Sequence, residues 1–207
     1  MASRKRAGTS PAPTPGYIGE PLWPPAWGGD PSTWLRTGKP RPYRVNSMKK
    51  PPFPRRRPPR LKEFDYATPN IVVFVTACTR GARRLFVQPD LNQAIVRCFL
   101  KERERLDHSI FAYCLMPDHY HLLCSPNQSG APITQLIGGI NSNITRLLWN
   151  HDYSGRLIQR SFYDHIVRRE ESLTEIVEYI LNNPVRKGLI ERAEDYPYSG
   201  TPDPLPL

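Results

Sequence analysis

Residues 109–125 read SIFAYCLMPDHYHLLCS, and this stretch decides the fold. Its first part, residues 109–115, is rich in β-branched and aromatic side chains and predicts a strand. Met116–Pro117–Asp118 makes a tight connection, and residues 119–125 predict a second strand, so the two form a hairpin. Side chains alternate along a strand, which puts His119 and His121 on one face with Cα atoms roughly 6.5 Å apart. Tyr120, Leu122 and Cys124 then turn to the opposite face, into the core. Two imidazoles side by side can converge on one cation.

The elements on either side complete the pattern. Residues 70–78, NIVVFVTAC, predict a buried strand. Pro89–Asp90 opens a helix with Leu91, Ile95, Val96, Phe99 and Leu100 at helical spacing, running to about Leu106. A second helix is expected from Ile133 to about Asn150. An irregular stretch follows, with a short strand at 162–168. The last helix starts near Ser172, where Ser-Leu-Thr-Glu has the form of a capping box. It ends where Pro184 cannot continue it. The order β-α-β-β-α-β-α begins with the six elements of a ferredoxin-like split βαβ unit. The expected class is α+β, an antiparallel sheet with helices packed on one face.

Composition divides the chain. Of the 207 residues, the first 60 hold 13 Lys+Arg against 2 Asp+Glu, whereas residues 61–207 hold 16 against 17. The net charge of +10 therefore sits almost wholly in the N-terminal segment. That points to an anionic partner, with nucleic acid the first choice. Residues 1–60 also hold 14 of the 24 prolines, a density no amphipathic period survives. The expected organisation is a basic, proline- and arginine-rich tail at 1–58, a folded domain at 59–200 and a short C-terminal tail at 201–207. Trp23, Trp27 and Trp34, with the cluster Arg55, Arg56, Arg57 and Arg60, give the first tail the means to add base stacking and phosphate contacts. Cys78, Cys98, Cys114 and Cys124 form no CxxC pair, which argues against a zinc ribbon and for reduced thiols in an intracellular, cytoplasmic protein. No stretch approaches the roughly 18 apolar residues of a membrane span.

The second chemical motif is Tyr179–Ile180–Leu181–Asn182–Asn183–Pro184. Tyr179 and Asn183 are i and i+4, on one helix face, with Ile176, Ile180 and Leu181 supplying much of the buried side. A tyrosine hydroxyl can attack phosphorus when a divalent cation polarises the phosphate. The Asn183 carbonyl oxygen is a third ligand of the kind Mg²⁺ or Mn²⁺ accepts. Arg186 and Lys187 after this helix, and Arg83 and Arg84 after the first strand, are candidates to hold DNA phosphate. Asp164 and His165 must face opposite sides of their strand. Gly138–Gly139 inside the second helix costs about 1 kcal/mol per glycine relative to alanine and calls for an explanation.

LMPDHYHLL resembles the histidine-hydrophobic-histidine motif of the HUH endonucleases. YILNNPVRKGL resembles the nucleophile helix of the single-tyrosine HUH transposases, in particular the REP-associated tyrosine transposases. RLKEFDYATPNIVVFVTACT and RSFYDHIVRREESL are similar to further segments of that family, and the resemblance spans about residues 55–200. It implies that His119 and His121 bind Mg²⁺ or Mn²⁺, that Asn183 stands where related enzymes place a polar third ligand, and that Tyr179 is the nucleophile. It implies cutting of single-stranded or hairpin DNA through a 5′-phosphotyrosine link that a 3′-hydroxyl resolves, by a monomer or a homodimer. The alternative is a repeat-DNA-binding protein without turnover. Tyr120, between the histidines, is a competing tyrosine that strand alternation points away from the cation.

Overall fold

The computed structural model describes residues 65–168 and 171–206. The expected basic tail at 1–58, with its three tryptophans and arginine cluster, lies outside the described residues. The elements are β1 (Val73–Cys78), α1 (Pro89–Arg105), β2 (His108–Met116), β3 (His119–Pro126), α2 (Ile133–Trp149), β4 (Tyr163–Ile166), α3 (Leu173–Leu181), one further helical turn (Asn183–Arg186) and β5 (Ser199–Gly200). Local chemistry sets most boundaries. Asn70 adopts φ +62°, a left-handed conformation asparagine tolerates, so β1 begins after it rather than at residue 70. Pro89 occupies the first turn of α1, where no backbone donor is needed. The Ser172 hydroxyl accepts from the Glu175 amide and caps α3 as expected.

All pairings in the sheet are antiparallel, in the order β4-β1-β3-β2-β5. The first four strands give the expected ferredoxin-like order. The expectation that the helices share one face holds for α1 and α2 and is corrected for α3. Leu91, Ile95 and Phe99 of α1 and Ile133, Leu136, Ile137, Ile140 and Ile144 of α2 pack on Val73, Val75, Tyr120, Leu122 and Cys124. Ile176 and Ile180 of α3 pack instead on Phe74, Phe111, Cys114 and Leu123, which point the other way. Those apolar side chains would otherwise be left in water, and a short amphipathic helix is what covers them. Among the described residues no helix is long and apolar enough to cross a membrane.

A β-bulge makes this second face continuous. Ile110 pairs with Cys124, but Ala112 pairs with Leu123, leaving Phe111 as the extra residue. Before the bulge Ile110 faces α1 and α2. After it, Ala112, Cys114 and Met116 face the α3 side. Residues 201–206 are not free of the domain. The Ile110 amide donates to the Asp203 carboxylate at 2.7 Å, and Arg103 pairs with the same carboxylate at 2.9 Å. With the Leu115 amide donating to Tyr198 O, they cover the β2 edge of the sheet.

The paired glycines of α2 have different roles. A Cβ on Gly138 meets nothing within 4 Å, whereas one on Gly139 runs into the Glu102 carboxylate of α1. Glu102 is 6% exposed and accepts from Arg105 and from Asn143 Nδ2, and its pKa is lowered chiefly by the Arg105 hydrogen bond. Gly139 thus makes room for a buried carboxylate that is ion-paired to Arg105 within α1 and hydrogen-bonded across to Asn143 of α2. Gly138→Ala should raise stability by up to about 1 kcal/mol through helix propensity. Gly139→Ala should lower it by about 1 kcal/mol, because the displaced carboxylate loses its donors. Denaturant midpoints measure both, and equal gains would contradict the packing account.

Candidate active site

His119 and His121 share the α3 face of β3, as strand alternation required. Their Nε2 atoms lie 3.1 Å apart. On the far side of each ring a partner fixes the orientation. His119 Nδ1–H donates to Asp118 Oδ1 at 2.6 Å, and His121 Nδ1 bonds the Thr76 hydroxyl at 2.8 Å. Burial holds the pKa of both rings below the ordinary histidine value, far below for His121, so both are neutral. With Nδ1 of His119 protonated, its Nε2 carries a lone pair aimed at its neighbour.

These residues fit a cation. Two neutral imidazole nitrogens turned to one point are donors of the kind that divalent cations accept. The Nδ1 hydrogen bonds are the supports that metal-binding histidines characteristically use. Among the described residues no third His, Cys, Asp or Glu joins the pair, so a further protein ligand must be of another type. Asn183 is of that type, and it is 3% exposed at the start of the turn that follows α3.

An aromatic bridge joins the histidines to Tyr179. Phe74 of β1 stacks on His121 with centroids 5.3 Å apart, and the Tyr179 ring lies 6.1 Å from Phe74 and 6.2 Å from His121. Burial of Ile176 and Ile180 orients α3 so that half-buried Tyr179 faces this floor. The helix ends ahead of Pro184, as expected, and the chain then restarts a helical turn. α3 ends at Leu181, and a new turn begins at Asn183 with Pro184 in its first turn, the position where proline's missing N–H does no harm. The restart carries Arg186 back over the tyrosine, its Cζ 4.2 Å from the ring centroid. Tyr179, Asn183 and Arg186 are i, i+4 and i+7. The positive charges of Arg186 and Lys187 also bear on His121 and help to lower its pKa.

Three loops meet at this end of the sheet. The Thr79 amide donates to Asp118 O and the Phe86 amide to Pro117 O, tying the loop after β1 to the hairpin turn. The Arg80 amide donates to Leu157 O and the Gln159 amide to Cys78 O, tying in the α2–β4 connection. Arg80, Arg83, Arg84, Arg156 and Arg160 are all exposed on these loops. None makes an ion pair among the described residues. Trp149, 53% exposed, is fixed on the same connection by its Nε1–H donating to Gly155 O.

The sequence had named Arg83, Arg84, Arg186 and Lys187. It missed Thr76, Phe74, Asp118, Arg80, Arg156, Arg160 and Trp149. Of these only Asp118, adjacent to His119, carried a signal. Asp164 and His165 do face opposite sides. Asp164 accepts from the Tyr66 hydroxyl at 2.5 Å, while His165 Nε2 bonds Glu171. Tyr120 is fully buried, and burial raises its pKa well above the usual phenol value. Its hydroxyl donates to Asn141 Oδ1, so it cannot reach the histidine face. None of the four cysteines forms a disulfide, Cys114 and Cys124 are buried, and burial pushes the Cys124 thiol up to about 12.

The family described as Transposase IS200 like matches residues 69–183. A Haemophilus influenzae protein named as a REP-associated tyrosine transposase is 31% identical, across 42% of this chain and 56% of its own length. The chain thus spans little more than half of that relative. A second, uncharacterized protein of the same organism is 25% identical, across 63% of this chain and 88% of its own. Among solved structures, a REP-associated tyrosine transposase bound to a REP hairpin superposes with a TM-score of 0.56 at 21% identity, covering 65% of this chain and 78% of that one. This last likeness is one of fold.

Tyr120→Phe removes the donor to Asn141 and leaves a half-buried acceptor poorly satisfied. It should lower stability by about 1–2 kcal/mol without changing the circular dichroism spectrum. A variant as stable as the parent would remove Tyr120–Asn141 from the interactions that hold β3 to α2.

Proposed function

The chain belongs to the IS200-like transposase family, and from that premise we propose that it cuts and rejoins single-stranded or hairpin-forming repeat DNA with Tyr179 as nucleophile. The observation that carries this reading is the meeting of Tyr179 with His121 and His119 on one sheet face, with ring centroids 6.2 Å apart for Tyr179–His121 and 4.7 Å for the two histidines. They meet within one chain, so the reading needs no second copy. The repeat hairpin is proposed from the relatives, whose names and bound DNA are of that kind.

The chemistry is a transesterification. The Tyr179 hydroxyl oxygen bonds to phosphorus as the bond from phosphorus to the 3′-oxygen breaks. The phenol proton, carried by water, ends on that 3′-oxygen. The product is a 5′-phosphotyrosine link and a free 3′-hydroxyl, and a 3′-hydroxyl attacking the link reverses the step and joins strands. One phosphodiester is exchanged for another, so no nucleotide cofactor is consumed. Mg²⁺ or Mn²⁺ held by His119, His121 and the Asn183 carbonyl would polarise the phosphate when bound. Asp118 and Thr76 keep the two rings oriented, burial keeps them neutral, and Phe74 holds the distance between His121 and the tyrosine. The carboxylate-free arginines Arg80, Arg83, Arg84, Arg156 and Arg160, with Lys187, are the proposed phosphate contacts that lead the strand to Tyr179. The basic segment 1–58 is proposed to add non-specific, salt-sensitive affinity, with the catalytic domain following it.

Tyr179→Phe should abolish both strand cleavage and the covalent protein–DNA adduct on a hairpin substrate in Mg²⁺ or Mn²⁺, while DNA binding persists. Cleavage that survives this change would sink the tyrosine mechanism. Binding without any cleavage by the unaltered protein would favour a repeat-DNA binder. The cation reading has its own test. Mn²⁺ at about a hundred times its Kd should stabilise the protein by about 2.7 kcal/mol, seen as a rise in Tm. That rise should vanish in His119→Ala/His121→Ala, and a double variant that keeps it would place the ion elsewhere.

A further inference from the structure

The turn after α3 contains a charged group with no counterpart among the described residues. Arg186 Nη1 is buried and has no hydrogen-bond partner among the described residues, and no carboxylate pairs with this guanidinium there. A buried donor on a cation is costly to leave unsatisfied. Nor is its position arbitrary. One face of the guanidinium lies on the Tyr179 ring, 4.2 Å from Cζ to centroid, a cation–π contact. Its charge also bears on His121, whose ring centroid is 6.2 Å from that of Tyr179. The groups recorded against it are the Tyr179 ring and, through its charge, His121, and neither supplies a negative charge. The chemical complement of such a group is an anion whose paired oxygens meet the guanidinium edge-on.

We infer that Arg186 is a catalytic residue of strand cleavage: its unpaired Nη1 donates to a non-bridging oxygen of the phosphodiester that Tyr179 attacks, while its stacked face holds the Tyr179 ring in the attacking orientation. The inference rests on the reading of Tyr179 as nucleophile. In the step written above, no atom of Arg186 is transferred. The guanidinium binds the oxygens on which negative charge concentrates as the tyrosine–phosphorus bond forms and the 3′-oxygen departs. Such a donor, held in place before the reaction by stacking, needs no reorganisation at that moment. Lysine in this position would keep the charge but lose both the planar stack and the fork.

The test uses the full chain and a hairpin substrate in single turnover, with the adduct at Tyr179 and the DNA Kd measured separately. Arg186→Ala should slow adduct formation by about 10²–10³-fold, the usual loss for one oxyanion donor, with the Kd changed only slightly. Arg186→Lys should recover part of the rate. The distinguishing substrate carries a methylphosphonate at the scissile position, where a methyl group replaces one charged non-bridging oxygen. On one of its stereoisomers the gap between wild type and Arg186→Ala should close, because there is no longer an oxyanion for the guanidinium to bind. An equal deficit on both substrates would overturn the inference and leave Arg186 a positioning residue for the tyrosine. An undiminished Arg186→Ala rate on the normal phosphodiester would overturn it outright. Full cleavage by Tyr179→Phe would instead bring down the nucleophile assignment on which the inference stands. If Arg186→Ala does not fold, Arg186→Gln, which keeps planarity without charge, carries the same comparison.

Discussion

The period of two along β3 governs both the core and the site. One strand has to supply two unlike surfaces. Tyr120, Leu122 and Cys124 are fully buried against α1 and α2, while His119 and His121 project to the other side. Removing His121 from water is tolerable because the ring stays neutral, stacks on Phe74 and bonds Thr76. A third layer, α3, then becomes necessary, since the sheet has no other way to bury Phe74, Phe111 and Leu123. The helix that completes the core is therefore the helix that delivers Tyr179. Folding and the assembly of the site are one event, and neither can be adjusted without the other.

Much of this was legible in the residues themselves. The hairpin, the alternation of the two histidines, the capping box at Ser172 and the order of six elements follow from periods and turn chemistry that act over a few residues. The family likeness rested on the same short motifs. What was not legible depends on contacts between distant segments. Nothing local says which face of a sheet a short helix will choose, so α3 was expected with α1 and α2. β5 has two residues and no period to read. The arginines Arg80, Arg156 and Arg160 look like ordinary loop charges until backbone hydrogen bonds bring their loops to one rim. Pro184 does end α3 by removing a donor, but the same residue suits the opening turn of the next helical segment, and the sequence alone weighs only the first effect.

The charge distribution follows a similar logic. The sequence from residue 61 onward is nearly neutral, yet several of its carboxylates are engaged where the arginines of one rim are not. Carboxylates are engaged in structure: Glu102 between two helices, Asp203 across an edge strand, Asp107 with Ser129 and Asn127. The arginines at the histidine end of the sheet have no such partners. A protein with little net charge can in this way still present a strongly positive rim.

The bulge at Phe111 works as a phase adapter. Strands tolerate exchange of one side chain for another of similar size, because a substitution leaves the alternation intact. Loss or gain of a single residue between Ile110 and Ala112 would instead turn the far half of β2 over. Cys114 and Met116, now beside the histidines, would trade places with Tyr113 and Leu115. The lineage of this domain is therefore expected to be forgiving of point changes along β2 and intolerant of length changes there, so that the geometry at the histidines is protected by counting residues more than by the identity of any one of them.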